Sequence, residues 1–169
     1  FMRRPAFGQL PAGERLKRMQ RSPNYRDGKF QNQNPTPDLT DGATFFSVLR
    51  DFIFKRSKQS VPPAPLPSVK TNLAGLSPDE DVLVWFGHSS YFMQIDGKKI
   101  LVDPVLSGSA SPLKFTTRSY PGSDVYTADD IPAIDYLFLT HDHWDHLDHE
   151  TILKLKPKTG TVITGLGTG

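Results

Sequence analysis

The sequence predicts an α/β fold in the second half of the chain, preceded by a basic N-terminal arm. Three strand-type segments follow one another between residues 82 and 102, and residues 134–139 form an almost continuous apolar run of strand length. A short helical segment and a further strand complete this pattern. The chain has 169 residues, which allows one ordinary domain, and it contains no cysteine, so no disulfide framework supports it.

The arm, predicted over residues 1–60, differs in charge from the rest of the chain. It contains 12 Lys or Arg and 5 Asp or Glu, a net charge of +7, whereas residues 61–169 carry a net charge of −5. Hydrophobic spacing predicts two short helices in the arm, over residues 11–21 and 44–58, with an extended surface loop between them that runs to Pro37.

The second predicted helix combines phenylalanine with cationic residues. Phe45, Phe46 and Phe52 recur at helical spacing, and Arg50 and Lys55 lie among them. Such a helix can lie on an anionic lipid surface. The alternative is a helix that packs against the catalytic part of the chain and leaves its basic face in solvent. The sequence therefore leaves peripheral membrane contact through the arm as an open expectation.

A proline-rich linker is predicted over residues 61–80. Its four prolines between residues 62 and 67 favour a stiff, extended conformation, so we expect a spacer rather than a partner-binding segment.

Strands are predicted from residue 82 onward. The segments 82–86, 91–95 and 99–102 predict a meander, and Asp96-Gly97 supplies the hairpin turn between the last two. After a loop-like stretch, the apolar run 134–139 predicts a strand covered on both faces. A helix over residues 149–156, with Asp148 as its N-cap, and a strand over residues 161–164 follow.

Four of the five histidines of the chain fall between residues 141 and 149, directly after the apolar strand. The pattern H-x-H-x-D-H unites imidazoles with a carboxylate, a ligand set typical of catalytic zinc and also suited to iron or manganese. In extended backbone, residues i and i+2 point the same way, so His141 and His143 can reach one ion together. Asp145 and His146 lie one turn further on and can reach a second ion. A solvated polar loop is the alternative, and such dense clustering disfavours it.

This motif resembles the signature of the metallo-β-lactamase superfamily of metallohydrolases. The similarity extends upstream through residues 84–90, 100–106 and 110–112. Together with His-Leu-Asp at residues 146–148, it looks like the branch that contains N-acyl-phosphatidylethanolamine-hydrolysing phospholipase D and its bacterial relatives. The resemblance covers roughly residues 80–169.

The resemblance implies an αββα sandwich, of which residues 81–169 would form the first half. Members of the superfamily take a further histidine, a bridging aspartate and another histidine from later strands. An isolated half would leave a sheet edge open and an apolar face uncovered, so we expect a longer protein or another chain to complete the domain.

The resemblance also implies a role for each residue of the motif. His141 and His143 would bind the first of two divalent metal ions, and Asp145 and His146 would bind the second. Zinc is the favoured metal, with iron or manganese as alternatives. Two such ions lower the pKa of a shared water and supply a hydroxide at neutral pH. Asp145 would also act as a catalytic residue by orienting that hydroxide.

Two upstream residues are candidates for supporting roles. In similar proteins an aspartate at the position of Asp103 orients the metal-binding loop, and the alternative is an aspartate that only begins a turn before Pro104. His88, in a Gly-His-Ser segment, either lies near the pocket and contacts substrate or is a turn histidine bonded to backbone.

The predicted function is that of a metal-dependent phosphodiesterase that cleaves an N-acylated phospholipid on its headgroup side. The alternatives are a lactonase or nuclease of the same fold, or a non-catalytic metal-binding module if the chain ends at Gly169. The acidic balance of residues 61–169 disfavours a nucleic acid partner. The chain begins with Phe1, so a removed leader would place the protein at a bacterial membrane or cell envelope, and otherwise in the cytoplasm.

Overall fold

The computed structural model describes residues 5–55 and 60–168, which form two compact units. One unit is Pro11–Pro63, and the other joins the residues up to Leu10 to those from Ala64 onward. The first contains a two-stranded sheet and the second a five-stranded sheet. Within the described ranges, no helix combines the length and apolar character that a membrane crossing requires.

The two helices of the first unit lie close to their predicted positions. Helix α1 spans Gly13–Gln20 and helix α2 spans Phe45–Phe54. Thr44 and Ser47 form a capping box at the start of α2, because each hydroxyl accepts a hydrogen bond from the other residue's backbone N–H, at 3.1 and 2.9 Å. The predicted helix continued to residue 58, and residues 56–59 lie outside the described residues. No residue of α2 is buried.

A short hairpin replaces part of the predicted extended loop between these helices. Strands β1 (Tyr25–Arg26) and β2 (Lys29–Phe30) pair in antiparallel fashion. Asp27 and Gly28 connect them with φ values of 54° and 78°. Asp-Gly is a strong signal for such a turn, so the prediction of an extended loop was wrong here because it overlooked this pair.

The five-stranded sheet confirms the predicted α/β class. The elements of this unit are β3 (Val82–Gly87), β4 (Ser90–Ile95), β5 (Lys98–Val102), β6 (Ile134–Leu139), α3 (His149–Leu155) and β7 (Thr159–Thr164). The strand order is β3-β4-β5-β6-β7, with antiparallel pairing in the first three strands and parallel pairing from β5 to β7. The predicted meander is confirmed, and Asp96 and Gly97 turn between β4 and β5 with φ values of 48° and 71°.

The core of this unit lies on one face of the sheet. Phe92, Leu101 and Leu137 are almost completely buried there and belong to one cluster with Leu155 of α3. Leu73, from the predicted linker, is 1% exposed and joins the same cluster. The part of the linker from residue 64 onward therefore packs within this unit, which the expectation of a plain spacer did not include.

The opposite face of the sheet is mostly apolar and partly exposed. Leu83 and Trp85 are 64% and 66% exposed, and their registered neighbours across the sheet include Tyr136 and Ile163. Tyr136 is 37% exposed, so the prediction that its strand is covered on both faces was wrong. This face agrees with the uncovered layer expected of half an αββα domain.

Candidate metal centre

The histidine motif occupies the loop between β6 and α3, at the carboxyl ends of the parallel strands. Such strand ends are where open α/β sheets commonly place their sites. The backbone N–H groups of His146 and Leu147 both donate to the carbonyl of His143, at 3.0 and 2.7 Å. This turn folds the loop back on itself and brings the ring of His146 to 3.9 Å from that of His141, measured between centroids.

The structure brings two of the four predicted ligands, Asp145 and His146, together with His88. Within the described ranges, these three residues form the set whose ligand atoms all lie within 4.8 Å of one another, and His141 and His143 do not belong to it. The Asp145 Oδ2 atom is 3.1 Å from His88 Nε2 and 3.8 Å from His146 Nε2. The rings of His141 and His143 are 4.6 Å apart, as expected of residues two positions apart that face the same way.

Asp103 contacts the motif directly from the end of β5. Its side chain is almost completely buried and accepts hydrogen bonds from the backbone N–H of Thr140 at 2.8 Å and from the Thr140 hydroxyl at 2.7 Å. Its Oδ2 atom also lies 2.8 Å from His146 Nδ1. These contacts suit a residue that orients the metal-binding loop, and this role of Asp103 stays a prediction.

Thr140 is a supporting residue that the sequence reasoning did not single out. Besides binding Asp103, its hydroxyl lies 3.0 Å from His141 Nδ1. Thr140 thus links His141, a predicted ligand of the first ion, to Asp103, which contacts a predicted ligand of the second ion. Its place directly before the motif was the one available signal, and a small hydroxyl residue after a strand is too common to be informative by itself.

The donor set fits a divalent metal ion. Imidazole nitrogen and carboxylate oxygen are ligands for zinc, iron and manganese. His146 Nδ1 lies 2.8 Å from Asp103 Oδ2, and a hydrogen bond donated by Nδ1 would leave Nε2, 3.8 Å from Asp145 Oδ2, as the nitrogen that can bind a cation.

Electrostatics keep Asp145 in the form that binds a cation. Burial raises the pKa of its carboxyl group, but the opposing influences outweigh it: the residue's own backbone N–H, the nearby His146 and His88, and the hydrogen bond from His88. The pKa of Asp145 lies below its ordinary value of 3.8, and the carboxylate is ionised at neutral pH.

A cavity of about 320 Å³ lies beside the motif, on the side of Trp144. The ring of Phe7, from the start of the chain, meets the ring of Trp144 edge to face with centroids 5.8 Å apart. The cavity thus joins the motif to the loop after β5, and its polar lining includes Ser107, Ser109, Ser111, Lys114, His149 and Glu150.

The fold and this cluster define a metal-binding protein built on a mixed α/β sheet. Residues 82–168, about half of the chain, match the family model described as the β-lactamase superfamily domain. The chain therefore belongs to the metallo-β-lactamase superfamily, as its motif predicted.

The chain is also similar to three curated proteins. It is 35% identical over 138 residues to an uncharacterized protein of Mycobacterium tuberculosis, and the match covers 80% of this chain but 37% of the relative. It is 30% identical over 71 residues to N-acyl-phosphatidylethanolamine-hydrolyzing phospholipase D 1 of Caenorhabditis elegans, which covers 42% of this chain and 20% of that protein.

The third relative is an oxidative enzyme. The chain is 40% identical over 90 residues to 4-amino-L-phenylalanyl-[CmlP-peptidyl-carrier-protein] 3-hydroxylase of Streptomyces venezuelae, covering 52% of this chain and 15% of that protein. A solved structure of a diiron β-hydroxylase from the same organism is 39% identical, covers 51% of this chain and 15% of its own, and superposes with a TM-score of 0.38.

Proposed function

We propose that the protein is a metal-dependent hydrolase of phosphodiesters, of the N-acyl-phosphatidylethanolamine phospholipase D type. The observation that carries the proposal is the histidine and aspartate cluster at the ends of β5 and β6, in which the buried Asp103 fixes the orientation of His146. Membership of the metallo-β-lactamase superfamily supports a metal-dependent hydrolase. The similarity to the nematode phospholipase supports the substrate class.

Each residue of the cluster has a distinct part in this function. His141 and His143 would hold one divalent ion, and Asp145 and His146 would hold the other. Metal bound there would supply an activated hydroxide and polarise the phosphoryl oxygen under attack. The ionised Asp145 can also accept a hydrogen bond from the nucleophile and so orient it. The cavity beside Trp144 receives part of the substrate.

Other substrates of the same hydrolytic chemistry remain as outcomes of the test, a lactone and a nucleic acid phosphodiester among them. A second candidate function is oxidation at a pair of iron ions. It is favoured by the 40% identity to the Streptomyces hydroxylase over 90 residues, together with a donor set that suits iron.

His141→Ala and His143→Ala in the full-length protein test the proposal. We expect about two metal ions per chain in the wild type. In both variants we expect loss of tight binding of the first ion and loss of hydrolysis, because each removes a ligand of that ion. Elemental mass spectrometry measures the metal, and turnover of N-acyl-phosphatidylethanolamine is assayed on the same samples. The matched control for metal content is His149→Ala, which removes an imidazole outside the motif. The control for turnover is Asp142→Ala, which alters an exposed side chain that does not line the cavity.

The outcomes separate the candidate functions. Lipid turnover that persists in a metal-depleted variant contradicts the metal-dependent mechanism. Two ions without lipid turnover, but with hydrolysis of a lactone or a nucleotide diester, keep the hydrolase and change its substrate. Two iron ions with oxygen consumption and no hydrolysis support the oxidative candidate, and a wild type without metal overturns both.

We also propose that the basic arm contacts an anionic membrane surface through α2. The side chains of Phe45, Phe46 and Phe54 are 77%, 75% and 78% exposed. The net charge of +7 over residues 1–60 complements an anionic lipid surface. Such contact would place the arm where an N-acylated phospholipid substrate is found.

A further inference from the structure

His88 occupies a strained position at the end of β3. Its φ is 47°, in the left-handed region that residues with a side chain rarely adopt, and the preceding Gly87 has a φ of 111°. The pairing of β3 with β4 shifts register between Trp85 and Gly87. The Trp85 indole N–H donates to the carbonyl of His88 at 3.0 Å and helps to hold this backbone in place.

The strained backbone directs the imidazole at a motif residue far away in the sequence. His88 Nε2 lies 3.1 Å from Asp145 Oδ2, across 57 residues of chain, and its ring centroid lies 5.1 Å from that of His146. The His88 side chain is 60% exposed, so burial of the ring does not account for its position. Its contact with Asp145 is the interaction that the conformation makes possible.

Asp103 makes a similar contact with His146, the other proposed ligand of the second ion. Its φ of 40° is also left-handed, it also follows a strand, and its carboxylate lies 2.8 Å from His146 Nδ1. The two proposed ligands of the second ion, Asp145 and His146, are thus each held by a residue in a left-handed conformation at the end of a different strand. Residues outside the ligand shell commonly hold metal ligands in this way.

We propose that His88 is a positioning residue that donates a hydrogen bond from Nε2 to Asp145 Oδ2 and fixes that carboxylate for the second metal ion. The inference rests on the proposed metal site. This role accounts for the histidine of the Gly-His-Ser segment. It predicts that substitution of His88 lowers the affinity for the second ion and leaves the ion held by His141 and His143 bound.

The test compares His88→Ala with His88→Gln in the full-length protein. The Gln side chain ends in an N–H donor near the place of Nε2, so it can restore the hydrogen bond without an imidazole. We expect His88→Ala to weaken binding of the second ion by about 10- to 100-fold, His88→Gln to recover most of that loss, and both to retain the first ion. Competition with a chromophoric chelator measures each affinity, and elemental mass spectrometry counts the ions.

Two controls separate positioning from folding. His149→Ala removes a histidine outside the motif, and we expect it to bind both ions as the wild type does. Thermal unfolding of the metal-free His88→Ala protein should match that of the metal-free wild type, because the His88 side chain is mostly exposed. A lower unfolding temperature in the metal-free variant would indicate a structural role and overturn the proposal.

The remaining outcomes are equally distinct. A wild type with two ions, beside a His88→Ala variant with unchanged affinity for both, overturns the positioning role and leaves the proposed function intact. Loss of the second ion in both His88 variants makes the imidazole a direct ligand, which also overturns the positioning role. A wild type that binds no metal overturns the proposed function itself.

Discussion

Asp103 is the residue on which the candidate site depends most heavily, since one buried carboxylate serves three donors. It accepts from the backbone N–H and hydroxyl of Thr140 and from His146 Nδ1, all between 2.7 and 2.8 Å. Asp103→Ala should therefore lower metal affinity by about 10- to 100-fold. It should also lower the free energy of unfolding by about 2–4 kcal/mol, because three hydrogen bonds to one buried carboxylate are lost. Metal titration and denaturant unfolding of the metal-free protein measure the two effects.

Asp142→Ala is the matched control for Asp103→Ala. It removes the same charge within the motif from an exposed side chain. We expect metal affinity and unfolding free energy close to those of the wild type. If Asp103→Ala behaves like this control, the orienting role of Asp103 is wrong.

At the scale of single residues, the sequence predicted which side chains form the candidate site better than it predicted the contacts between them. The spacing of the motif predicted that imidazoles and a carboxylate meet, and Asp145 and His146 do lie together, but His88 completes the set of close ligand atoms instead of His141 or His143. The contact between His88 and Asp145 was not predictable, since it depends on a β-bulge and a left-handed φ that no residue pattern specifies. Which ligands bind which ion stays a prediction.

At the scale of elements, the start of α3 positions the end of the motif loop. Asp148, the predicted N-cap, accepts hydrogen bonds from the backbone N–H groups of Glu150 and Ser107 at 3.2 and 3.0 Å and from the Thr151 hydroxyl at 2.5 Å. Asp148→Ala should lower the free energy of unfolding by about 2 kcal/mol, because it removes a helix cap and a buried acceptor together.

Asp148→Asn keeps one acceptor oxygen and removes the charge and the second oxygen. Asparagine caps helices about as well as aspartate, so we expect this variant to lose less stability than Asp148→Ala in denaturant unfolding. Equal losses in the two variants would show that the cap contributes little and that the second oxygen or the charge stabilises this helix start.

The segment from residue 64 to 80 is tied to the sheet unit by an ion pair that responds to pH. Lys70 Nζ lies 2.7 Å from Asp130 Oδ1, and the Thr127 N–H donates to Asp130 Oδ2 at 2.8 Å. The hydrogen bond from Lys70, followed by that from Thr127, lowers the pKa of Asp130 below 3.8 despite the opposing effect of burial. The folded state thus favours the ionised form.

This lowered pKa fixes the direction of a pH effect. The contribution of Asp130 is fully present above its unfolded pKa and is lost as the pH falls through the lower, folded value. Asp130→Asn should therefore lower the free energy of unfolding by about 0.5–1 kcal/mol at pH 7, and the difference from wild type should shrink below about pH 4. Denaturant unfolding between pH 3 and 7 measures it, with Asp129→Asn as control, and a constant difference would contradict the assignment.

The elements themselves were largely predictable. Periodicity located α2, the meander and the strand before the motif, because each buries or aligns apolar residues at a regular spacing. The packing of Leu73 was not predictable, since a single leucine in a proline-rich stretch carries no periodic signal. The exposure of Tyr136 was missed for a related reason: an apolar residue in a strand shows that a face is apolar, and not what covers it.

At the scale of the whole molecule, the charge asymmetry leads to the proposal that the arm meets a membrane. The net charge is +7 over residues 1–60 and −5 over residues 61–169. An anionic surface therefore attracts the arm and repels the rest of the chain, and the effect falls as salt screens the charges. The exposed phenylalanines of α2 would add burial of apolar area that salt does not screen.

Co-sedimentation of the full-length protein with lipid vesicles tests this proposal. We expect binding to phosphatidylcholine vesicles that contain phosphatidylglycerol, weaker binding to pure phosphatidylcholine, and a decrease as salt rises. The double variant Phe45→Ser with Phe46→Ser should reduce binding about 10-fold or more, because two exposed aromatic rings no longer enter the interface.

Phe115→Ser is the matched control for this experiment. Phe115 is 74% exposed, much like Phe45 and Phe46, but it lies in the sheet unit outside the basic arm. If the arm is the membrane contact, this variant binds vesicles as the wild type does. If both variants lose binding equally, adhesion depends on exposed aromatic rings in general and α2 is not a specific site. If the wild type does not bind anionic vesicles, the membrane proposal is wrong. The alternative, in which α2 packs against protein, is then favoured.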